Sequence, residues 1–230
     1  MKVAVLIQGE PRFCREFDLF LDNIRNDGNQ YDWYLYMWNP NPGPEVHGYN
    51  LIAPAWRNYT AAWASQKLTE LLPANHRVMA VETADQNQLV FPDTPRKAGE
   101  THQQNVWKMF YSLKQTDLLR QRFGQEYDLV IKARPDVSVT NLNLTDILAQ
   151  VQANPAQVII SKTNHHGYWG TKLNDWAAVA TPAAMSVYCS VYDRIMEYYN
   201  AGFIFHPESL LSFHLAQHGV AVTYGEFEVG

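Results

Sequence analysis

Residues 127–137 read Tyr-Asp-Leu-Val-Ile-Lys-Ala-Arg-Pro-Asp-Val, and the rest of the chain is best interpreted from this segment outward. Its apolar run Leu-Val-Ile has two β-branched members, which is typical of a buried strand. Lys132, Arg134 and Asp136 follow at once, and Pro135 breaks the pattern. In an open α/β sheet, ligands bind outside the carboxyl ends of the strands. Two cations beside one carboxylate at such an edge would suit a phosphate-bearing ligand, and the alternative is a solvated turn.

A second apolar run opens the chain and predicts another strand. Residues 3–7 read Val-Ala-Val-Leu-Ile, as expected of a parallel strand covered on both faces. Gln8, Gly9 and Arg12 lie in the loop that must follow. The glycine lets backbone amides approach a ligand, and the arginine can form a fork onto a phosphate or a base.

Strand and helix patterns alternate along the rest of the chain, which predicts an α/β fold. Strands are predicted over 2–8, 31–38, 77–82, 129–131, 157–161, 174–180 and 220–224. Helices are predicted over 13–25, 59–72, 100–123, 144–152, 181–199 and from His206 onward. Residues 39–54 and 162–172 are predicted loops that can close over a site. We expect one domain over residues 1–230, with a mixed, mostly parallel sheet flanked by helices.

Composition excludes several classes of protein. The formal charge is −5 and there is no basic cluster, which argues against a nucleic-acid partner. No apolar run is long enough to span a membrane or to form a signal-peptide core, so we expect a soluble protein. Cys14 and Cys189 are too few for a disulfide scaffold, which indicates the cytoplasm. The chain has no Cys-x-x-Cys or His-Glu-x-x-His pattern, so zinc chemistry is not expected.

The histidines do not change that expectation. His165 and His166 are adjacent and cannot readily ligate one metal from a regular element. His214 and His218 are four residues apart, a spacing that can ligate a metal, but no third ligand is evident. We therefore interpret this pair as ordinary helix histidines.

Four stretches carry a resemblance to a known family. They are Val-Leu-Ile-Gln-Gly-Glu-Pro-Arg at 5–12, the middle stretch at 127–136, Asn-Asp-Trp-Ala-Ala-Val-Ala-Thr-Pro at 174–182 and His-Pro-Glu-Ser-Leu-Leu at 206–211. In this order along one α/β chain, they resemble poorly characterised bacterial and phage glycosyltransferase-like proteins of the GT-A type, whose fold is Rossmann-type. The match covers most of the chain.

The resemblance implies a nucleotide-sugar donor and a glycan or other hydroxyl acceptor. Residues 1–137 would bind the donor, at the first loop and at the end of the middle strand, and 138–230 would form the acceptor side. GT-A enzymes usually hold Mn²⁺ or Mg²⁺ with an Asp-x-Asp motif at that strand end. Here Arg134 replaces the first acid. Asp136 is therefore the one candidate metal ligand in this turn, and metal dependence is in doubt.

Roles then follow for individual side chains. Lys132, Arg134 and Arg12 can neutralise the departing diphosphate, and Asp136 can bind a metal or donor hydroxyls. Gln8, Gly9 and Lys108 complete the predicted donor site, although Lys108 could instead lie on a solvated helix face.

The proton from the acceptor hydroxyl needs a carboxylate base in an inverting enzyme. Asp175 and Glu208 are the candidates, and we slightly favour Asp175 because a carboxylate at a helix start already has a structural reason to be there. Asp175 could equally make a hydrogen bond that starts a strand.

Two other functions stay open. A nucleotidyltransferase that makes a nucleotide sugar would share the α/β nucleotide site, but its usual Gly-x-Gly-x-Arg loop is not matched by residues 8–12. A non-catalytic module that binds nucleotide sugars or glycans would bind the donor and show no turnover.

Overall fold

The computed structural model describes residues 1–10, 15–39, 61–85, 87–92, 102–162 and 173–230. The strands are β1 (Lys2–Gly9), β2 (Gln30–Trp38), β3 (His76–Ala84), β4 (Leu129–Ala133), β5 (Val139–Thr140), β6 (Gln157–Ser161), β7 (Ala177–Ala180), β8 (Ala221–Gly225) and β9 (Glu228–Val229). The helices are α1 (Arg15–Ile24), α2 (Ala61–Leu71), α3 (Gln103–Arg122), α4 (Leu144–Ala153), α5 (Pro182–Cys189), α6 (Ile195–Asn200) and α7 (Pro207–Gln217), with a 3₁₀ helix over Ser190–Arg194.

Seven strands form one mixed sheet in the order β3-β2-β1-β4-β7-β6-β8. Strand β1 pairs in parallel with β2 and β4, and β2 pairs in parallel with β3. Strand β7 runs antiparallel to both of its neighbours, whereas β8 is parallel to β6. Strands β5 and β9 pair separately. The predicted α/β class, with a mixed, mostly parallel sheet flanked by helices, is confirmed.

Helices cover both faces of the sheet, which explains why its central strands are continuously apolar. On one face, α1 and α4 contribute Phe20 and Ile147 to the core. On the other face, α3, α5 and α7 contribute Phe110, Met185 and Leu211. Burial of each large apolar side chain stabilises the fold by about 1.5–3 kcal/mol.

The helix predicted over 181–199 is interrupted after Cys189 by the 3₁₀ helix. The Val187 carbonyl is contacted there by Ser190 Oγ at 2.9 Å and by His214 Nε2 at 2.9 Å. Such side-chain bonds compete with the helical ladder, and sequence periodicity does not reveal them.

The strand predicted from residue 174 also starts later, at Ala177. Asn174 Oδ1 accepts a hydrogen bond from the Trp176 N–H at 2.7 Å, so residues 174–176 form a turn.

The carboxyl ends of β1, β2 and β4 lie side by side because these strands are parallel neighbours. Gly9 pairs with Met37, and Ile7 pairs with Ala133. The loop after β1, the last residue of β2 and the charged turn after β4 therefore meet at one edge of the sheet. Among the described helices, none has the length and apolarity needed to cross a membrane.

Candidate active site

A cavity of about 320 Å³ lies at this edge of the sheet. Its walls come from the ends of β1 and β2, the first turns of α3 and the turn after β4. The lining residues are Gln8, Gly9, Glu10, Trp38, Asn105, Lys108, Met109, Arg134, Pro135 and Asp136. A cleft at the carboxyl ends of parallel strands is the usual ligand position in an open α/β sheet.

The end of β1 presents both side-chain and backbone groups to the cavity. Gln8 is buried, and its Oε1 accepts a hydrogen bond of 2.6 Å from the Ser112 hydroxyl of α3. Gly9 has φ of +107°, a conformation that side-chain-bearing residues rarely adopt. The glycine therefore lets the chain turn at the cavity wall.

Arg134 and Asp136, in the turn after β4, form a two-pronged ion pair that lines the cavity. Arg134 Nε donates to Asp136 Oδ1 at 2.9 Å, and Nη2 donates to Oδ2 at 2.7 Å. Burial alone would lower the pKa of Arg134, but the hydrogen bonds and charge of Asp136 outweigh it and raise that pKa. The guanidinium also lies 5.8 Å from the centre of the Trp176 ring. Arg134 is thus a fixed cation at the cavity.

Lys132 lies behind this wall and is not among the residues that line the cavity. It is 1% exposed, and its Nζ donates to the backbone carbonyl of Asp175. Burial lowers the pKa of Lys132 to about 8, and the charge of Asp175 partly opposes that shift.

A second group of polar side chains adjoins the cavity through Arg134, whose charge interacts with both Asp175 and Glu208. Glu208 lies in the first turn of α7. Burial raises the pKa of Glu208, and the negative charge of Asp175 raises it further. His206 Nδ1 lies 3.2 Å from Glu208 Oε2. Burial lowers the pKa of His206, so its imidazole is neutral at neutral pH.

Sequence reasoning missed two polar groups in this region. The Tyr188 hydroxyl and Asn174 Nδ2 are buried and have no hydrogen-bond partner among the described residues. Burial raises the pKa of Tyr188 well above its ordinary value, and the charge of Asp175 adds to the shift, so the phenol stays protonated. Buried polar groups are normally paired, so each of these exceptions calls for an explanation, and a catalytic or ligand-binding role is one.

Most of the predicted site residues lie in these two neighbouring regions. Five of them line the cavity: Gln8, Gly9, Lys108, Arg134 and Asp136. Lys132, Asp175 and Glu208 lie in the adjoining group. Arg12, His165 and His166, with most of the two predicted loops, are outside the described residues. Trp38 was not predicted as a site residue, although its place at the end of a strand next to β1 was a usable signal.

The described residues do not fit a divalent metal ion at Asp136. Both of its carboxylate oxygens accept hydrogen bonds from Arg134. Over the described ranges, no three His, Cys, Asp or Glu side chains are grouped so that they could hold an ion. Hard cations such as Mg²⁺ require several oxygen ligands.

Comparison with known proteins identifies the fold. No protein-family model and no curated protein matches the sequence. Among solved structures, the chain is similar to the apo-form glycosyltransferase GlyE of Streptococcus pneumoniae TIGR4, with a TM-score of 0.52 and 10% identity. The chain has a glycosyltransferase-like fold. The alignment covers 97% of this chain but 45% of the GlyE chain, so this chain spans less than half of GlyE.

That similarity supports the predicted resemblance at the level of fold. The narrower assignment to a bacterial and phage GT-A group stays a prediction, as do the individual site residues and the cytoplasmic location.

Proposed function

We propose that this protein is a glycosyltransferase that moves a sugar from a nucleotide-sugar donor to a hydroxyl of a glycan or another acceptor. One observation carries the proposal. Arg134 both lines the cavity and interacts with Glu208, a carboxylate whose pKa is raised. A cation for the leaving diphosphate and a base for the acceptor hydroxyl are thus neighbours in the glycosyltransferase-like fold.

The cavity has suitable groups for the donor. Lys108 and Arg134 supply positive charge for the two phosphates, and the backbone at Gly9 can approach them closely. Trp38 adds an apolar edge to the cavity wall, although the residue is 3% exposed and its ring stacks on Tyr111. The volume of about 320 Å³ is at the lower end of the usual range for small-molecule sites.

Lys108 and Arg134 would also stabilise the charge of the leaving diphosphate. As the sugar–phosphate bond breaks, negative charge grows on the diphosphate, and fixed cations in a partly buried site stabilise that charge without rearranging. The pairing of Arg134 with Asp136 fixes the direction of the guanidinium before the donor binds.

Glu208 is our preferred proton acceptor, in place of the slight preference for Asp175 at the sequence level. Its raised pKa makes it a stronger base near neutral pH, and its side chain is 27% exposed. Asp175 is 5% exposed and acts on Glu208 through its charge. The proton would pass from the acceptor hydroxyl to the Glu208 carboxylate as the oxygen attacks the sugar carbon.

The proposed function is tested in two steps, first by measuring ligand binding and then by measuring sugar transfer. Calorimetry against a set of nucleoside diphosphates identifies the donor nucleotide, and the matching nucleotide sugars are then incubated with a panel of glycan acceptors. Transfer with release of the nucleoside diphosphate supports the proposal. Tight binding without turnover on any acceptor supports the binding module, and formation of a nucleotide sugar from sugar phosphate and nucleoside triphosphate supports the nucleotidyltransferase.

The pH dependence of transfer should identify the base. Because the pKa of Glu208 is raised, its basic form is lost as pH falls through a value above its ordinary one, so transfer should fall there too. In the Asp175→Asn variant, the repulsive charge is gone and the acidic limb of the kcat/KM profile should move to lower pH. Inactivity of this variant at every pH would instead make Asp175 the base.

Chelators should have little effect on donor binding. Arg134 occupies both oxygens of Asp136 and supplies positive charge itself, so we expect the same nucleoside-diphosphate affinity with and without EDTA. Calorimetry in both buffers measures this directly. Loss of binding in EDTA that manganese or magnesium restores would show that further ligands exist and that the expectation is wrong.

A further inference from the structure

Three hydrogen bonds hold the turn over residues 174–176, and two of them come from the neighbouring strand segment. Lys132 Nζ donates to the Asp175 carbonyl. The Arg134 backbone N–H donates to the Trp176 carbonyl at 3.2 Å. The third is internal, from the Trp176 N–H to Asn174 Oδ1 at 2.7 Å. Only the Lys132 bond depends on a side chain of β4, so a point substitution can remove it alone.

Lys132 is an unusual residue for a strand core. It is among the largest fully buried side chains of the described chain, in a strand whose five residues are all buried. A buried ammonium loses its hydration, and an apolar side chain of similar length would pack there without that cost. The charged groups that act on it are Asp175, Arg134 and Asp136. The presence of a lysine here therefore calls for a reason other than stability.

We propose that Lys132 is a positioning residue that fixes the 174–176 turn and thereby sets where the Asp175 carboxylate lies relative to Glu208. The catalytic part of this inference rests on the proposed glycosyl transfer, while the structural part does not. It differs from the role expected from sequence, in which Lys132 binds the diphosphate. Lys132 lies outside the cavity wall, so it acts through the turn instead.

The link to catalysis runs through the charge of Asp175. That charge contributes to the raised pKa of Glu208 and also acts on His206. A looser turn would let the Asp175 carboxylate move relative to both groups. Displacement of catalytic groups by about 1 Å can cost about 100-fold in rate.

The test compares Lys132→Met with Lys114→Met, a control that removes a lysine paired with Asp193 on the surface. For Lys132→Met we expect kcat to fall about 10- to 100-fold, with unchanged nucleoside-diphosphate affinity and an unchanged or higher melting temperature. The control should match the wild type in kcat and in affinity. A kcat equal to the wild type, a parallel loss of nucleotide affinity, or a kcat loss matched by a lower melting temperature would each overturn the proposal.

Amide hydrogen exchange tests the positioning without any activity assay. In the wild type, the Trp176 and Arg134 amides should be protected, and in Lys132→Met their exchange should become faster while the amides of β1 stay protected. Unchanged exchange in the variant would overturn the proposal. If Lys132→Met does not fold, hydrogen exchange in the wild type still tests the proposal. Trp176 and Arg134 amides that exchange as fast as in an unstructured peptide would show that the turn is not fixed. A wild type that transfers no sugar would refute the proposed function and leave the exchange result valid.

Discussion

Replacing Glu208 by glutamine is expected to lower the transfer rate about 100- to 10,000-fold while leaving donor affinity unchanged. Glutamine keeps the size of the side chain and its position in the first turn of α7 but cannot accept the proton. In the proposed site the donor would bind on the Arg134 side, so we expect ground-state binding to change little in this variant. The measurements are kcat at saturating donor and acceptor, and calorimetry with the nucleoside diphosphate.

A matched control separates this effect from the loss of an acid at a helix start. Glu197 lies in the first turn of α6, where it pairs with Arg194 on the surface. Glu197→Gln should transfer sugar at the wild-type rate. A Glu208→Gln variant as active as the wild type would remove Glu208 as the base. If Asp175→Asn were inactive at the same time, the original preference for Asp175 would be supported.

The sequence predicted the centre of the sheet well because the central strands are covered on both faces. The run over 3–7 and the apolar triplet before Lys132 have no polar face, and such runs are typical of central parallel strands. The side chains that follow those strands then had to meet at the carboxyl edge. The sequence alone therefore predicted that four residues lie close together at this edge: Gln8, Gly9, Arg134 and Asp136.

The contacts of Lys132 could not be predicted in the same way. Lys132 and Arg134 both follow the apolar triplet at the carboxyl edge of the sheet, which made both candidates for the diphosphate. The structure separates them because β7 inserts antiparallel beside β4 and brings the 174–176 turn against Lys132. Long-range strand order and direction are not encoded in local periodicity.

The sequence also could not predict the partner of the Arg134 side chain. Its spacing from Asp136 is compatible with a side-chain pair, with two separate ligand contacts or with a metal site. The choice depends on the path of the turn around Pro135. The structure has the two-pronged pair, which holds the Arg134 guanidinium in a fixed direction against the Asp136 carboxylate.

Replacing Arg134 by alanine is expected to weaken nucleoside-diphosphate binding by about 1.5–3 kcal/mol, the usual worth of a hydrogen bond to a charged group. Arg134→Lys should recover only part of this, because an ammonium keeps the charge but not the planar fork. Calorimetry measures the affinities, and circular dichroism checks that each variant is folded. Unchanged binding in a folded Arg134→Ala variant would remove Arg134 from the donor site.

A double variant decides why Arg134→Ala binds weakly. Removal of Arg134 takes away a positive charge that faces the Asp136 carboxylate at the cavity wall, so this carboxylate would repel a diphosphate more strongly even if Arg134 never touched the ligand. In Arg134→Ala/Asp136→Asn that repulsion is gone. If Arg134 contacts the diphosphate, the double variant should still bind weakly, and Asp136→Asn alone should bind at least as well as the wild type. Recovery of wild-type affinity in the double variant would show that Arg134 acts only by neutralising Asp136.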